Sequence, residues 1–270
     1  MTPHLTLTTE PALRPSPEQL DRFARLGYLI LPGFLPTDLV SRLRGEADRW
    51  VDTGLRARSI ASCLDPDVNG VPPVMELELP AHGELIGHEP LLHLLSALMG
   101  PDFVFHHLHS DRQRPDVPGK PWHHDYEQRP QTDRAHAMIH ALHYLDGLDA
   151  GTSSLVVLPG SHLEVAEKDA RAGLGTAELP GEVVIDHLPP GSTVVLHSAL
   201  FHARRALPGG QRGKDRYFVD ASYCQVGPAW LPVKPYWRHL LRRAQELGLD
   251  HGTWPELFDA RHFAEYVHPA

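Results

Sequence analysis

Thiols are almost missing from this chain: Cys63 and Cys224 are the only cysteines in 270 residues. Two isolated thiols make no disulfide framework, and without a C-x-x-C pair they offer no thiolate-rich structural zinc site. Lysine is scarce too, with 4 against 21 arginines, and the formal net charge of -9 leaves no broad basic surface for nucleic acid or anionic lipid. No stretch approaches the roughly 20 apolar residues of a membrane helix. The opening MTPHLTLTTEPALRP lacks the charged-then-apolar build of a signal peptide. These absences lead us to expect a cytoplasmic protein, monomer or homodimer, that acts on a small molecule and has no nucleic-acid or membrane partner.

Histidine, by contrast, is plentiful. With 20 of them, H-x-D triplets arise by chance, so the context of Trp122-His123-His124-Asp125 decides its meaning. An extended segment alternates its side chains between two faces, which puts His123 and Asp125 together and turns His124 away. A further imidazole is offered by His202 in LHSALFHARR, with His197 as a competitor five residues earlier. Two histidines and one carboxylate with open positions form the facial arrangement of mononuclear non-haem iron(II) oxygenases. Structural zinc, the rival, usually takes four protein ligands.

Local signals divide the chain into a loose arm at 1–15 and one domain at 16–270, with a helical part at 16–100, a β core at about 101–225 and a helical segment at 235–270. Ser16, Pro17 and Gln19 supply an N-cap, a first-turn proline and a capping-box partner, and Gly27 supplies the stop. A strand at Tyr28–Leu31, a helix from about Thr37 and another around Pro90–Leu98 follow. Residues 52–82 read as irregular chain that covers a site. From Phe103 the pattern changes to short extended runs separated by Gly/Pro turns, as in a sandwich or barrel. Residues 164–173 read as helix, and a last helix starts at Pro235 and stops at Gly248.

The opening PEQLDRFARLGYLILPGFLPTDLVSRLRGEADRW, the PWHHD pair, SLVVLPGSH, and GSTVVLHSALFHARR followed by Arg216 together resemble the phytanoyl-CoA dioxygenase family, which includes ectoine hydroxylase, over residues 17–225. The resemblance implies a double-stranded β-helix, a cupin-like jelly roll with flanking helices. It also implies iron(II), 2-oxoglutarate as cosubstrate, and O2. Carried onto this chain, it makes His123, Asp125 and His202 the iron ligands and Arg216 the clamp for the distal carboxylate of 2-oxoglutarate. The chain departs from the family's namesake at three places: Arg204 stands for a serine, Met75 for a cosubstrate-contacting lysine and Leu142 for a tryptophan beside the cosubstrate. Arg204 then shares the charge pairing. Because Asp125 is present, the resemblance implies hydroxylation of a small polar metabolite or natural-product intermediate, with succinate and CO2 released, rather than halogenation. Oxidative cyclisation, desaturation or epimerisation on the same iron site are the alternatives, as are a non-oxidative metal-dependent isomerase and a binding module.

If Leu142 faces the pocket, so do His140 and Tyr144; if Arg216 faces inward, so do Phe218 and Asp220. His140, Tyr144 and Asp220, together with Tyr126, Arg129 and Arg204, are the candidate substrate contacts. The run Pro159 to His162 reads as a turn, and His106, His107 and His109 as structural or substrate-facing residues split between two strand faces.

Overall fold

In the computed structural model, which describes residues 14–70, 72–207 and 213–267, the first helix begins as its sequence requires. The Ser16 side chain accepts from the Gln19 backbone, and the Gln19 side chain accepts from the Ser16 N–H. This opens α1 (Pro17–Leu26), and Gly27 closes it at φ 79°, a left-handed conformation that costs glycine little. Of the arm expected at 1–15, residues 1–13 lie outside the described residues.

β1 (Tyr28–Leu31) and α2 (Thr37–Asp52) follow as expected, α2 burying Leu39, Leu43, Ala47 and Trp50. The expectation for 52–82 is corrected. The segment forms α3 (Leu55–Leu64), α4 (Pro66–Asn69) and the start of α5 (Pro80–Ile86). Pro66 and Pro80 occupy first-turn positions, where a missing N–H costs nothing, so they start helices instead of breaking chain. Then come α6 (Glu89–Met99), β2 (Phe103–Gln113), β3 (Lys120–His123), β4 (Met138–Tyr144), β5 (Ser154–Val157), β6 (Val183–Ile185), β7 (Ser192–His197), β8 (His202–Arg205), β9 (Arg216–Gln225) and α7 (Trp237–Glu246).

The helix expected at 164–173 is absent; 3-10 turns at Ser161–Leu163 and Ala172–Leu174 bracket the segment. Its backbone is committed elsewhere, since the carbonyl of Lys168, like that of Gly175 just beyond the segment, accepts from the N–H of His124 and of Trp122 respectively. A chain serving as the outer neighbour of β3 cannot also close helical hydrogen bonds with those carbonyls.

The strands form two antiparallel sheets, ordered β1-β7-β4-β9-β2 and β3-β8-β5-β6, and enclose the jelly-roll interior. Alternation sorts the larger sheet into two faces. Ile139, Ala141, Val195, Val219, Ala221 and Tyr223 pack with Leu39, Leu43, Leu91 and Leu95 of the helices. Tyr144, Val194 and Leu196, on the other face, pack with Leu155, Val157 and Ile185 of the smaller sheet. Register aligns the inward residues in layers: His107, Ser222, His140 and Leu196 form one, and His109, Asp220, Leu142 and Val194 the next.

Buried Glu76, in the turn before α5, has an oxygen with no hydrogen-bond partner. Burial raises its carboxyl from 4.5 to about 7, against the opposing charges of His82 and Lys234. Its contribution to stability is thus present below 4.5 and is lost as pH rises through about 7. A shift of this size corresponds to at most about 3 kcal/mol. Glu76→Gln should therefore raise the Tm at about pH 8.5 and leave it nearly unchanged at about pH 5, a difference that scanning calorimetry measures.

Candidate functional site

His123 ends β3 and His202 begins β8, and the two residues are direct antiparallel partners. That register brings their rings to 4.2 Å between centroids. Each ring is oriented from behind: Nδ1 of His123 donates to the Pro121 carbonyl at 2.7 Å, and Nδ1 of His202 to the Leu200 carbonyl at 3.0 Å. Both Nε2 atoms are left facing inward with lone pairs. Asp125, just past the end of β3, is held by its own N–H, which donates to the Ser198 carbonyl at 2.7 Å.

One oxygen of Asp125 then lies 3.3 Å from Nε2 of His202 and 3.7 Å from Nε2 of His123. Such spacings suit ligand atoms around one ion with bonds of about 2.1 Å. Burial and the neighbouring His202 hold the His123 imidazole down to about 3. For Asp125, burial pushes upward, but the hydrogen bond and charge of His202, joined by His123, hold the carboxyl well below its ordinary range. Neutral imidazole and ionised carboxylate are the ligand-competent forms. The buried Nε2 of His123 has no hydrogen-bond partner, so the residues fit a hard divalent ion with affinity for imidazole, such as iron(II).

His124 points the other way, as alternation requires, and its Nε2 meets the Ala166 carbonyl at 2.9 Å. His197 is engaged elsewhere: Nδ1 accepts from the Ala199 N–H, and the ring stacks on Tyr126 and lies 5.1 Å from His162. Gly160 at φ 79° makes the turn after Pro159, and His162 meets the Ala24 carbonyl at 3.1 Å.

Arg216 opens β9 and is buried. Its guanidinium donates to Ser153 Oγ at 3.0 Å and to the Tyr144 hydroxyl at 3.3 Å, between the rings of Tyr144 and Phe218. Arg204 shares the inner face of β8 with His202 and donates to the Pro118 carbonyl at 2.7 Å. Burial and the charge of Arg216 lower its pKa. Among the described residues no carboxylate lies within ion-pair distance of either arginine, although Nε of each is buried and unpartnered. Two guanidinium groups without an acid in one interior make a receptor for an anion.

A small cavity beside the metal cluster is lined by Asp125, His140, Leu142, Leu196, His197, Ser198 and His202. His140 and Leu142 thus lie where inward alternation puts them, and Asp220 bonds to Nδ1 of His140 at 2.9 Å. Tyr126 is not brought there: its hydroxyl donates to the His136 carbonyl at 2.6 Å, and Arg134 covers its ring at 4.7 Å. Alternation accounts for this, because Tyr126 follows inward-facing Asp125 by one residue. Arg129 is exposed and lines an outer cleft with Glu127 and Leu231. Met75 is buried, its sulfur 3.4 Å from Cys63.

Residues that sequence reasoning did not connect are His107 and Ser222, both beneath His140. A bulge at His106 upsets the simple alternation of β2: Nδ1 of His106 and Nδ1 of His107 come within 2.7 Å. The spacing of His107, His140 and Ser222 gives no signal, because they converge only through the register of three strands.

A family model described as Phytanoyl-CoA dioxygenase (PhyH) matches residues 23–210. Among curated proteins, none matches. Among solved structures, EctD from S. alaskensis with 2-oxoglutarate and 5-hydroxyectoine is 20% identical, with 82% of this chain and 79% of that one covered and a TM-score of 0.59. HygX from Streptomyces hygroscopicus with nickel and 2-oxoglutarate bound is 20% identical over 81% of this chain and 89% of that one, with a TM-score of 0.59. The non-heme alpha ketoglutarate dependent carbocyclase SnoK from nogalamycin biosynthesis is 16% identical over 84% and 90%, again with a TM-score of 0.59. These similarities establish the double-stranded β-helix fold.

The two histidine environments predict a clear contrast. Calorimetric titration with nickel(II) should give one equivalent in the wild type and in His197→Ala, and none in His202→Ala or Asp125→Ala. Retained binding in His202→Ala would remove that residue from the ligand set.

Proposed function

The chain belongs to the phytanoyl-CoA dioxygenase family, and from that premise we propose that it is a non-haem iron(II)- and 2-oxoglutarate-dependent oxygenase that hydroxylates a small polar metabolite or natural-product intermediate. The observation that carries this reading is a two-histidine, one-carboxylate cluster in the same interior as buried Arg216, which has no acid partner among the described residues.

His123, Asp125 and His202 hold the iron through Nε2, a carboxylate oxygen and Nε2. The bound iron, with 2-oxoglutarate and O2, supplies oxidative decarboxylation to succinate and CO2 coupled to oxidation of a substrate C–H bond. Arg216 holds the distal carboxylate of the cosubstrate, with the Tyr144 hydroxyl and Ser153 fixing the guanidinium, and Arg204 adds positive charge on the facing sheet. The walls formed by Leu142, Leu196 and Phe218 exclude water and keep that charge pairing strong. Asp125 would give the ion a carboxylate as its third protein ligand, which favours hydroxylation over halogenation.

Arg216→Ala should weaken 2-oxoglutarate binding roughly 10- to 100-fold, the cost of losing a charge-assisted pair, while nickel(II) still binds at one equivalent. Unchanged cosubstrate affinity would move the clamp to Arg204. With iron(II), 2-oxoglutarate and O2, the wild type should release succinate, faster with its substrate, and label from 18O2 should enter the product without chloride incorporation. Product analysis separates hydroxylation from cyclisation, desaturation and epimerisation. Anaerobic isomerisation of a substrate without 2-oxoglutarate would replace the oxygenase reading.

A further inference from the structure

The larger sheet lines the interior opposite the metal cluster with a hydrogen-bonded chain of side chains. Nε2 of His106 meets the Leu231 carbonyl at 2.9 Å, which assigns the proton of His106 to Nε2 and leaves its Nδ1 an acceptor. Nδ1 of His107, 2.7 Å away, is therefore the donor to it. That leaves Nε2 of His107 an acceptor, 3.4 Å from Ser222 Oγ. Ser222 Oγ lies 2.8 Å from Nδ1 of His140, and both oxygens of Asp220 lie 2.9 Å from the same nitrogen.

Every polar atom of this chain is engaged except one. Nε2 of His140 is buried without a partner, and His140 lines the cavity that also contains Asp125 and His202. Other buried histidines, His82, His143 and His162, also have an unpartnered nitrogen, but none of them lines that cavity. Burial pulls the His140 ring toward neutrality, but the charge and hydrogen bond of Asp220 outweigh it and raise its pKa. With both Asp220 oxygens 2.9 Å from Nδ1, the carboxylate favours the doubly protonated ring, and in that form the free Nε2 presents an N–H to the cavity.

We propose that the His140–Asp220 dyad anchors the substrate: Nε2 of His140 donates a hydrogen bond to a substrate oxygen, as a carboxylate, carbonyl or hydroxyl, close to the carbon that is oxidised. The proposal rests on the oxygenase reading above and deepens it, because it names the functional group that must flank the reacting position. Asp220 is the positioning residue; it fixes the donor at Nδ1 and aims Nε2 at the cavity. A purely hydrocarbon or ammonium-bearing environment around the reacting carbon would leave this donor buried and unpaired.

The donors of His107, His140 and Asp220 also lie within 4.8 Å of one another, as in a cation site. Hydrogen bonding accounts better for their arrangement, since both Asp220 oxygens lie at ordinary hydrogen-bond distance from one ring nitrogen. At the Asp125 cluster the corresponding separations are 3.3 and 3.7 Å.

The test is histidine 15N NMR on the full chain loaded with zinc(II) and 2-oxoglutarate, so that the metal is diamagnetic and the arginine site is filled. Glycolate is the oxygen-acceptor probe and ethylammonium the cationic control. His140 should show protons on both ring nitrogens, and its Nε2 resonance should move saturably with glycolate and not with ethylammonium. His140→Gln should weaken glycolate binding at least tenfold, and the near-isosteric Asp220→Asn should convert His140 to a ring with a single proton. Equal responses to the two probes, no response to either, or glycolate binding unchanged in both variants would overturn the proposal. So would a second zinc equivalent that disappears in His107→Ala. Failure of the wild type to take up one Asp125-dependent metal ion would instead defeat the oxygenase reading and leave the protonation of His140 as a separate result.

Discussion

The antiparallel pairing of His123 with His202 is the constraint on which the rest of the interior depends. It joins two short strands at the residues whose side chains must converge, and backbone carbonyls behind each ring set which nitrogen points inward. Asp125 completes the group only because its N–H is tied to Ser198, at the end of β7. The site therefore spans both sheets: the smaller one presents the imidazoles and the larger one holds the loop that carries the carboxylate.

The same interior holds polar atoms that a stable core would normally satisfy. Nε2 of His123, Nε2 of His140, Nε of Arg204 and Nε of Arg216 are buried without partners. Each such group costs about 1–3 kcal/mol when left unpaired. They cluster where one sheet faces the other, whereas the outer face of the larger sheet is apolar and packs on the helices. Stability comes from that outer layer and from the apolar cluster between the sheets, and the polar part of the inner layer is arranged for what it binds. The proposed metal, cosubstrate and substrate contacts would engage all four of these atoms.

Much of this was legible in the chain. The capping box at Ser16 and Gln19, the αL stop at Gly27 and the runs that became β1, β2, β4, β7 and β9 are local signals, and local chemistry decides them. The inward face of β4 followed from period-two alternation once one of its residues was placed. The segment at 52–82 was misread because Pro66 and Pro80 look like breakers until a helix begins at them. The segment at 164–173 was misread because its carbonyls at Ala166 and Lys168 are claimed by the side chain and backbone of His124, more than 40 positions earlier. Tyr126 was a candidate substrate contact, yet its place one residue after Asp125 on an extended chain is what turned it away from the cavity.

By itself the sequence determined the family and the strand-rich core and offered His123, Asp125 and His202 as candidate ligands with His197 as the competitor, because these rest on residue chemistry and on motifs read within segments. Only the tertiary structure decided that His202 and not His197 faces Asp125, that Arg204 and Arg216 lack an acid partner among the described residues, and that His107, Ser222, His140 and Asp220 form one network. Those relations depend on register between strands up to 115 residues apart in the chain. Register is set by the packing of whole faces, which no local pattern encodes.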